Sequence, residues 1–343
     1  MNQAVKRTIL LAGFLGCVYV VSTWGGRVDE PRKEEVESLF TQDTVAPLNT
    51  VSSMLSKDSI ETVESDATME TVWSSESLWQ TLLDTRAEGN QSFDIEKRLI
   101  EALKRKPNTA VYNEIRAKLL LPDDGQRTHE YLLSLLASIN TPESVAVLLE
   151  ALGALVEPSS DTIYAAKQSL RYITRSDRHM EQLKASFAKL PNDSLYLGDL
   201  ARGIAQNAAE SDLEFLIAVA GGSNSEQQDS KVGWALSSMS YLSNERLVPQ
   251  LKDVIASKES TPALVDASLE SLAMMGQYEA GVALIEWSTI QSASALPRVE
   301  QLIVKAQSRS PSMTRAIDKT LHRQDFNSEE VRSMIERLHK NSE

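Results

Sequence analysis

Cysteine and histidine are both scarce in this sequence, which has Cys17 alone and the four histidines His129, His179, His322 and His339. A single cysteine excludes an internal disulfide framework. The histidines form no His-Glu-x-x-His motif and no pair four residues apart, so the spacing of a zinc site is missing. The sequence therefore predicts no metal site and no cofactor. We expect His129 and His179 to be solvated or capping residues.

Positive charge and catalytic motifs are also in short supply. The chain has 35 Lys and Arg against 48 Asp and Glu, a net charge of −13 and an isoelectric point near 5.0, which argues against a nucleic-acid-binding surface. Nucleophile-elbow, Walker and dinucleotide-binding motifs do not occur. The Gly221–Ser225 loop joins two helices, and Asp123–Gly125 lacks the alternating oxygen ligands of a calcium loop. The sequence predicts no catalytic residues, no enzyme activity and no small-molecule substrate.

An apolar run near the N-terminus is the exception to this polar composition. Residues 8–24 carry no charge and follow Lys6 and Arg7. A helix of this length, at about 1.5 Å per residue, comes close to the roughly 30 Å of a bilayer core. We predict a signal anchor or transmembrane helix at residues 1–26. A cleaved signal peptide stays an alternative, as does a lipoprotein signal at Cys17, although Phe14 replaces the usual leucine.

The orientation of this predicted helix is not decided by charge counting, because Arg27, Arg32 and Lys33 follow the apolar run. A short N-terminal tail with a positive cluster favours a cytoplasmic N-terminus. We therefore expect a single-pass protein of the inner (plasma) membrane, held through residues 8–24, with the rest of the chain in the periplasm. An inverted, cytoplasm-facing array stays open.

The segment 27–72 is acidic and rich in serine and threonine. Residues 28–76 hold twelve acidic side chains against three basic ones and have no sustained apolar stripe. Such a segment cannot bury enough apolar surface to offset the entropy of ordering. We predict a largely disordered tether at 27–72 that spaces the remaining chain from the membrane.

From residue 73 to 343 the apolar spacing predicts helix after helix, with no strand pattern. Thr141–Pro142, Thr261–Pro262 and Ser310–Pro311 predict helix starts, and Asn327 with Glu330 resembles a capping box. Comparable apolar positions recur every 33 to 35 residues in two interleaved series. One series is Ile115, Leu148, Leu183, Leu216, Leu251, Leu284 and Ile317. The other is Leu103, Leu136, Leu170, a weak member around Leu200 to Ile204, Leu236, Leu269 and Leu302. Fixed periods of this size predict stacked helical hairpins.

One repeat is specific enough to suggest a family. In Ala263–Trp287 a helix with a small-and-large face, including Leu269 and Leu272, ends at Gly276 and a second helix centred on Leu284 follows. This resembles the HEAT-like repeats of the armadillo superfamily, including the bilin-lyase type. The resemblance implies an all-α, α-α superhelix of roughly six to seven hairpins, although another α-α superhelix stays open. The signature of tetratricopeptide repeats is not found in register.

Tryptophan positions give a further expectation about packing. Trp234 and Trp287 lie in apolar helical patterns and are predicted to be core residues. Trp73 and Trp79 are predicted to fasten the preceding segment to the first repeat.

A basic stripe is the one surface feature that the sequence offers as a binding site. Arg171, Arg175 and Arg178 cluster around one helix and could attract an acidic partner, or the chain's own acidic segment; the alternative is ordinary solvated charge. We expect a membrane-anchored periplasmic scaffold or adaptor that binds another envelope or membrane protein. An enzyme accessory or lyase-type protein of the HEAT-like class is the alternative from another functional class.

Overall fold

Helices and the turns between them make up the part of the chain that the computed structural model describes, residues 73–90, 92–122, 127–155, 158–222 and 230–340. No strand occurs in these ranges, so the protein is all-α there, as predicted. The sixteen α-helices of these ranges are α1 Ser75–Ala87, α2 Phe93–Arg105, α3 Thr109–Leu119, α4 Thr128–Ile139, α5 Pro142–Ala154, α6 Ser160–Ile173, α7 Met180–Lys189, α8 Leu197–Gln206, α9 Glu210–Gly221, α10 Ser230–Ser238, α11 Val248–Ala256, α12 Pro262–Met275, α13 Tyr278–Thr289, α14 Leu296–Arg309, α15 Pro311–Leu321 and α16 Glu329–Lys340.

The helices pack as two layers that alternate along the chain. Each even-numbered helix from α2 to α14 contacts the next even-numbered one, so α2 to α16 form one continuous layer. Odd-numbered helices contact one another in the same way from α1 to α7 and from α11 to α15. The described residues thus hold seven consecutive helix pairs, from α2–α3 to α14–α15, and the odd-numbered layer is loosest on both sides of α9.

Each apolar series of the sequence belongs to one layer. The series from Ile115 to Ile317 lies on odd-numbered helices, and all seven members are fully buried. The series from Leu103 to Leu302 lies on even-numbered helices and is buried as well, except at Leu236. At that point Ala235 and Met239 are buried while Leu236 is only partly covered. The repeat therefore loses its register at α10.

Helix boundaries follow the predicted capping chemistry with one exception. Thr141, Thr261 and Ser310 each cap a helix that has proline at its first position. Gly276 ends α12 in the left-handed conformation, with φ 74°, where glycine has no steric cost. The predicted capping box at Asn327 is wrong, because the Ser328 side chain accepts from the Val331 N–H instead. Asn327 reaches back to the turn after α13.

The turns from each even-numbered helix to the next odd-numbered one are joined by a row of side-chain hydrogen bonds that we call the turn ladder. Each rung joins a polar side chain to the corresponding turn one repeat away. The rungs are His179 Nε2 with Asn140 Oδ1, Asn207 Nδ2 to the Thr174 carbonyl, Asn244 Nδ2 to the Ala208 carbonyl, Gln277 Nε2 to the Ser243 carbonyl and Ser310 Oγ to the Gly276 carbonyl. Such bonds satisfy carbonyls that helix ends leave without an intrahelical partner.

The histidine prediction is wrong because of this ladder and the packing beside it. His179 is 3% exposed, since it forms a rung with Asn140 at 3.0 Å, and burial lowers its pKa. His129, in the first turn of α4, is 5% exposed. Trp79 is fully buried and donates to Glu114 Oε2 at 2.6 Å, whereas Trp73 stays about half exposed.

Several predictions fall outside the described residues. The transmembrane helix at 1–26, the tether at 27–72, the turn Asp123–Gly125 and most of the loop after Gly221 all lie there. Within the described ranges, every helix is too short or too polar to cross a bilayer.

Candidate partner-binding face

The three arginines of the predicted basic stripe lie at the end of α6 and in the turn that follows it. Arg171 belongs to the last turn of α6, Arg175 comes after the helix, and Arg178 lies in a short 3-10 turn; all three are exposed. Arg171 borders a pocket shared with α8 and α10, whereas Arg178 borders a separate groove beside Asp212. The structure thus brings Arg171 together with residues that the sequence did not single out.

An ion pair joins α6 to α8. Arg171 Nε lies 3.5 Å from Asp199 Oδ1, and only 10% of the Asp199 side chain is exposed against 52% of Arg171. Asp199 lies in the first turn of α8, where a carboxylate also complements the helix dipole. This pair holds Arg171 over α8 with about half of its side chain open to solvent.

Trp234 on α10 rests on α8 at Gly198. A Cβ added to Gly198 would come within 2.8 Å of the Trp234 ring, so the indole lies directly on bare backbone. The side chain nevertheless remains 45% exposed. The prediction that Trp234 is a core residue is therefore wrong: the ring covers α8 with one side and leaves the rest to solvent. Trp287 is partly buried against the core, as predicted.

Arg202 adds a second guanidinium beside an aromatic ring. Its Cζ lies 4.9 Å from the centroid of Tyr241, in the geometry of a cation–π contact, and Tyr241 is 43% exposed. The Arg202 Nε is buried and has no hydrogen-bond partner among the described residues. A buried N–H without a partner costs stability locally, and this nitrogen is not accessible to an acceptor from outside.

These groups border a pocket of about 490 Å³ between α6, α8 and α10. Its cations are Lys167, Arg171 and Arg202, and its carboxylates are Asp193 and Asp199, of which Asp199 is already paired. The Trp234 ring and Leu195, which is 57% exposed, add apolar surface. The pocket therefore combines excess positive charge with an apolar wall, in a chain whose net charge is −13.

Exposed aromatic rings extend this surface beyond the pocket. Tyr164 and Tyr172 project from α6, and Arg175 lies over the Tyr172 ring with its Cζ 5.4 Å from the centroid. We call the whole surface the α6–α10 face; it comprises Tyr164, Lys167, Arg171, Tyr172, Arg175, Leu195, Arg202, Trp234 and Tyr241. Arginine, tyrosine and tryptophan are the residues that dominate binding energy at protein interfaces.

The sequence carries one signal for this face, which is a break in the apolar repeat. No catalytic or binding motif marks it. The apolar series is weak around Leu200 and fails at Leu236, on the two helices that carry Arg202 and Trp234. Local rules tend to fail where a surface serves a function. Nothing in the sequence pattern, however, places Gly198 under Trp234.

Other clusters of charge in the described residues serve packing. Lys184 Nζ lies 2.8 Å from Asp212 Oδ1, with both side chains nearly buried. Burial alone would lower the pKa of Lys184, but the hydrogen bonds that its ammonium donates to Asp212 and Glu181 outweigh burial and raise that pKa. On the opposite layer, a groove of about 880 Å³ between α11 and α13 is spanned by the Lys252–Glu286 ion pair at 2.7 Å. No group of three His, Cys, Asp or Glu that could hold a metal ion occurs in the ranges searched.

Comparison with known proteins found no family model, no curated protein and no solved structure that matches this chain.

Proposed function

We propose that this protein is a membrane-anchored scaffold or adaptor that binds another protein through the α6–α10 face of a HEAT-like α-α superhelix. The observation that carries the proposal is Trp234, a large apolar ring held half-exposed on Gly198 and bordered by Arg171 and Arg202. The open side of this ring and the exposed Leu195 line one pocket, and a clustered apolar surface with a polar rim is typical of a protein interaction site.

The architecture supports a binding role. Alternating layers, joined turn to turn by the ladder, hold the outward surfaces of α6, α8 and α10 side by side. Stacked repeats use such extended surfaces to grip partners. Rigid elements also reduce the entropy that is lost when a partner docks. The function is therefore one of positioning, and we assign no reaction, cofactor or small-molecule substrate to this face.

The location forms part of the same proposal. Residues 8–24 anchor the chain in the inner membrane with the N-terminus in the cytoplasm, the acidic segment 27–72 spaces the array from the bilayer, and the array meets an envelope or membrane protein in the periplasm. A phosphatase that is active only outside the cytoplasm, fused after Glu343, tests the orientation. Activity of the fusion agrees with this location, whereas an inactive but stable fusion supports the cytoplasm-facing alternative.

Site-specific photo-crosslinking in the host cell tests the binding role. A photoreactive amino acid replaces Leu195, which is 57% exposed beside the pocket, and in a matched variant it replaces Ile290, which is 66% exposed at the end of α13. We expect one discrete crosslinked product from position 195 that position 290 does not give. If the product disappears when Trp234→Ala is added to the position-195 variant, the crosslinked protein binds at the α6–α10 face. Absence of any product at position 195 would contradict the proposal.

A further inference from the structure

We propose that the α6–α10 face recognises an acidic peptide segment that carries an aromatic or large aliphatic anchor residue. This inference rests on the proposed binding role and specifies the chemistry of the partner. Two arrangements carry it: the exposed sides of Trp234 and Leu195, which we call the apolar seat, and the cations that border this seat.

The apolar seat accepts an anchor side chain. The Trp234 ring is fixed from below by Gly198 and stays 45% exposed, with the exposed Leu195 bordering the same pocket. The pocket of about 490 Å³ is large enough for one aromatic or aliphatic side chain with its backbone. Aromatic pairs at such seats contribute energy beyond that of simple area burial.

The charges beside the seat select acidic neighbours of the anchor. Lys167, Arg171 and Arg202 border the pocket, and the acidic groups there are Asp193 and the already paired Asp199. Arg171 keeps half of its side chain exposed despite that pair. Guanidinium groups bind carboxylates in bidentate geometry, which adds direction to the attraction.

Two arginines of the face lie over aromatic rings, which do not neutralise their positive charge. Arg202 lies over Tyr241 and Arg175 over Tyr172, so each guanidinium contacts a neutral ring in place of a carboxylate. Since the rest of the chain is acidic overall, a basic partner would be drawn elsewhere, while an acidic one is attracted to this face.

Peptide display tests the inference on the full chain in detergent. Random peptides are selected on the wild-type protein after subtraction on Trp234→Ala, so that only binders that need this ring survive. We expect a consensus with an aromatic or large aliphatic residue flanked by Asp or Glu. A basic or uncharged consensus, or no enrichment over the subtraction, overturns the proposal.

Fluorescence anisotropy with the labelled consensus peptide then resolves the contacts. Gly198→Ala, which displaces the Trp234 ring without removing it, and Arg202→Gln should each weaken binding by about tenfold. Trp73→Ala is the matched control, because Trp73 is 44% exposed and lies far from the face in sequence, and Arg246→Gln is the control for loss of an exposed arginine. Binding should weaken as salt is raised. Equal binding of the charge-reversed peptide, or equal losses in the controls, contradicts the inference.

Circular dichroism shows whether each variant keeps its helix content, and Arg202→Lys retains the charge if Arg202→Gln loses structure. The two proposals fail in different ways. A crosslinked partner at position 195 without an acidic consensus leaves the adaptor role standing and overturns the acidic peptide. An acidic consensus without a cellular crosslink supports the acidic-peptide specificity of the face and contradicts the adaptor role in the cell.

Discussion

Gly281 on α13 lies directly against Ala316 on α15, so closely that a Cβ added to Gly281 would come within 2.7 Å of the Ala316 Cβ. The added atom would also lie 3.3 Å from the backbone carbonyl of Met313. Neither neighbour can turn aside by a rotamer change, because one is a methyl group on the backbone and the other is the backbone itself. The close approach of these two helices therefore depends on a missing side chain.

Gly281→Ala should lower the free energy of unfolding by roughly 1–3 kcal/mol, since overpacking forces the backbones of α13 and α15 apart. Urea unfolding followed by far-ultraviolet circular dichroism measures the change. Gly233→Ala is the control, because Gly233 lies on α10 with open space where a Cβ would be. There alanine should stabilise the helix by about 0.5–1 kcal/mol. An unchanged midpoint for Gly281→Ala would contradict the packing described.

Breaking the Lys184–Asp212 pair should cost more stability than breaking an exposed ion pair. The Lys184 and Asp212 side chains are 11% and 7% exposed, and Asp212 also accepts the Ala209 N–H at 2.9 Å. Asp212→Ala leaves Lys184 with only the exposed Glu181 as a partner and orphans the Ala209 N–H, so we expect a loss of about 1–3 kcal/mol. Glu286→Ala removes the exposed partner of Lys252 and should cost at most about 1 kcal/mol. Equal losses in the two variants would refute this ranking.

His179 should make the stability of the array depend on pH below neutrality. Burial is the main cause that lowers its pKa from the ordinary 6.5, and the Arg178 charge adds to it. As the pH falls through the ordinary value, the unfolded chain takes up a proton that the folded chain resists. This contribution to stability is therefore complete above the ordinary pKa and is lost as the pH falls toward the lower, folded value.

Thermal unfolding between about pH 7 and pH 5, above the main titration of carboxylates, measures this slope. His179→Gln should flatten it, because an amide can still bond to Asn140 but does not titrate. His322→Gln, which makes the same substitution at an exposed histidine, is the matched control for the substitution itself. A slope that persists in His179→Gln would assign the pH dependence to other groups.

Asn207→Ala should loosen the turn ladder at one rung. Its Nδ2 donates to the Thr174 carbonyl at 2.6 Å, and without it that carbonyl loses its partner one repeat away. The expected cost is about 1–2 kcal/mol, with faster amide exchange in the turns on both sides of the rung. Asn113→Ala, which removes an exposed contact to Arg116, should leave exchange in those turns unchanged. Faster exchange confined to the terminal helices would argue against the rung.

The sequence was sufficient for the helices and for their burial, because both depend on local periodicity. Every member of the series from Ile115 to Ile317 is fully buried, and the prolines that follow Thr141, Thr261 and Ser310 begin helices as capping chemistry requires. These features need no knowledge of distant residues.

Local periodicity and capping rules predict only part of the candidate face. Charge alone indicates Arg171, whereas the apolar neighbours of Trp234 on its helix predict a core residue. Its exposure depends on Gly198, which leaves room for the ring on a different helix. The burial of His179 is not predictable from its neighbours for a related reason: its hydrogen-bond partner, Asn140, lies one repeat earlier. Pairings between repeats decide which polar and aromatic side chains are covered.

The layered arrangement has a consequence for how quickly this chain acquires its structure. Helices in contact are separated by one or two elements along the chain, and the rungs of the turn ladder reach back by a single repeat. Proteins whose contacts join residues that are near in sequence close small loops and fold fast for their size. We therefore expect folding to begin at any neighbouring pair of repeats and to spread from there to the adjacent repeats.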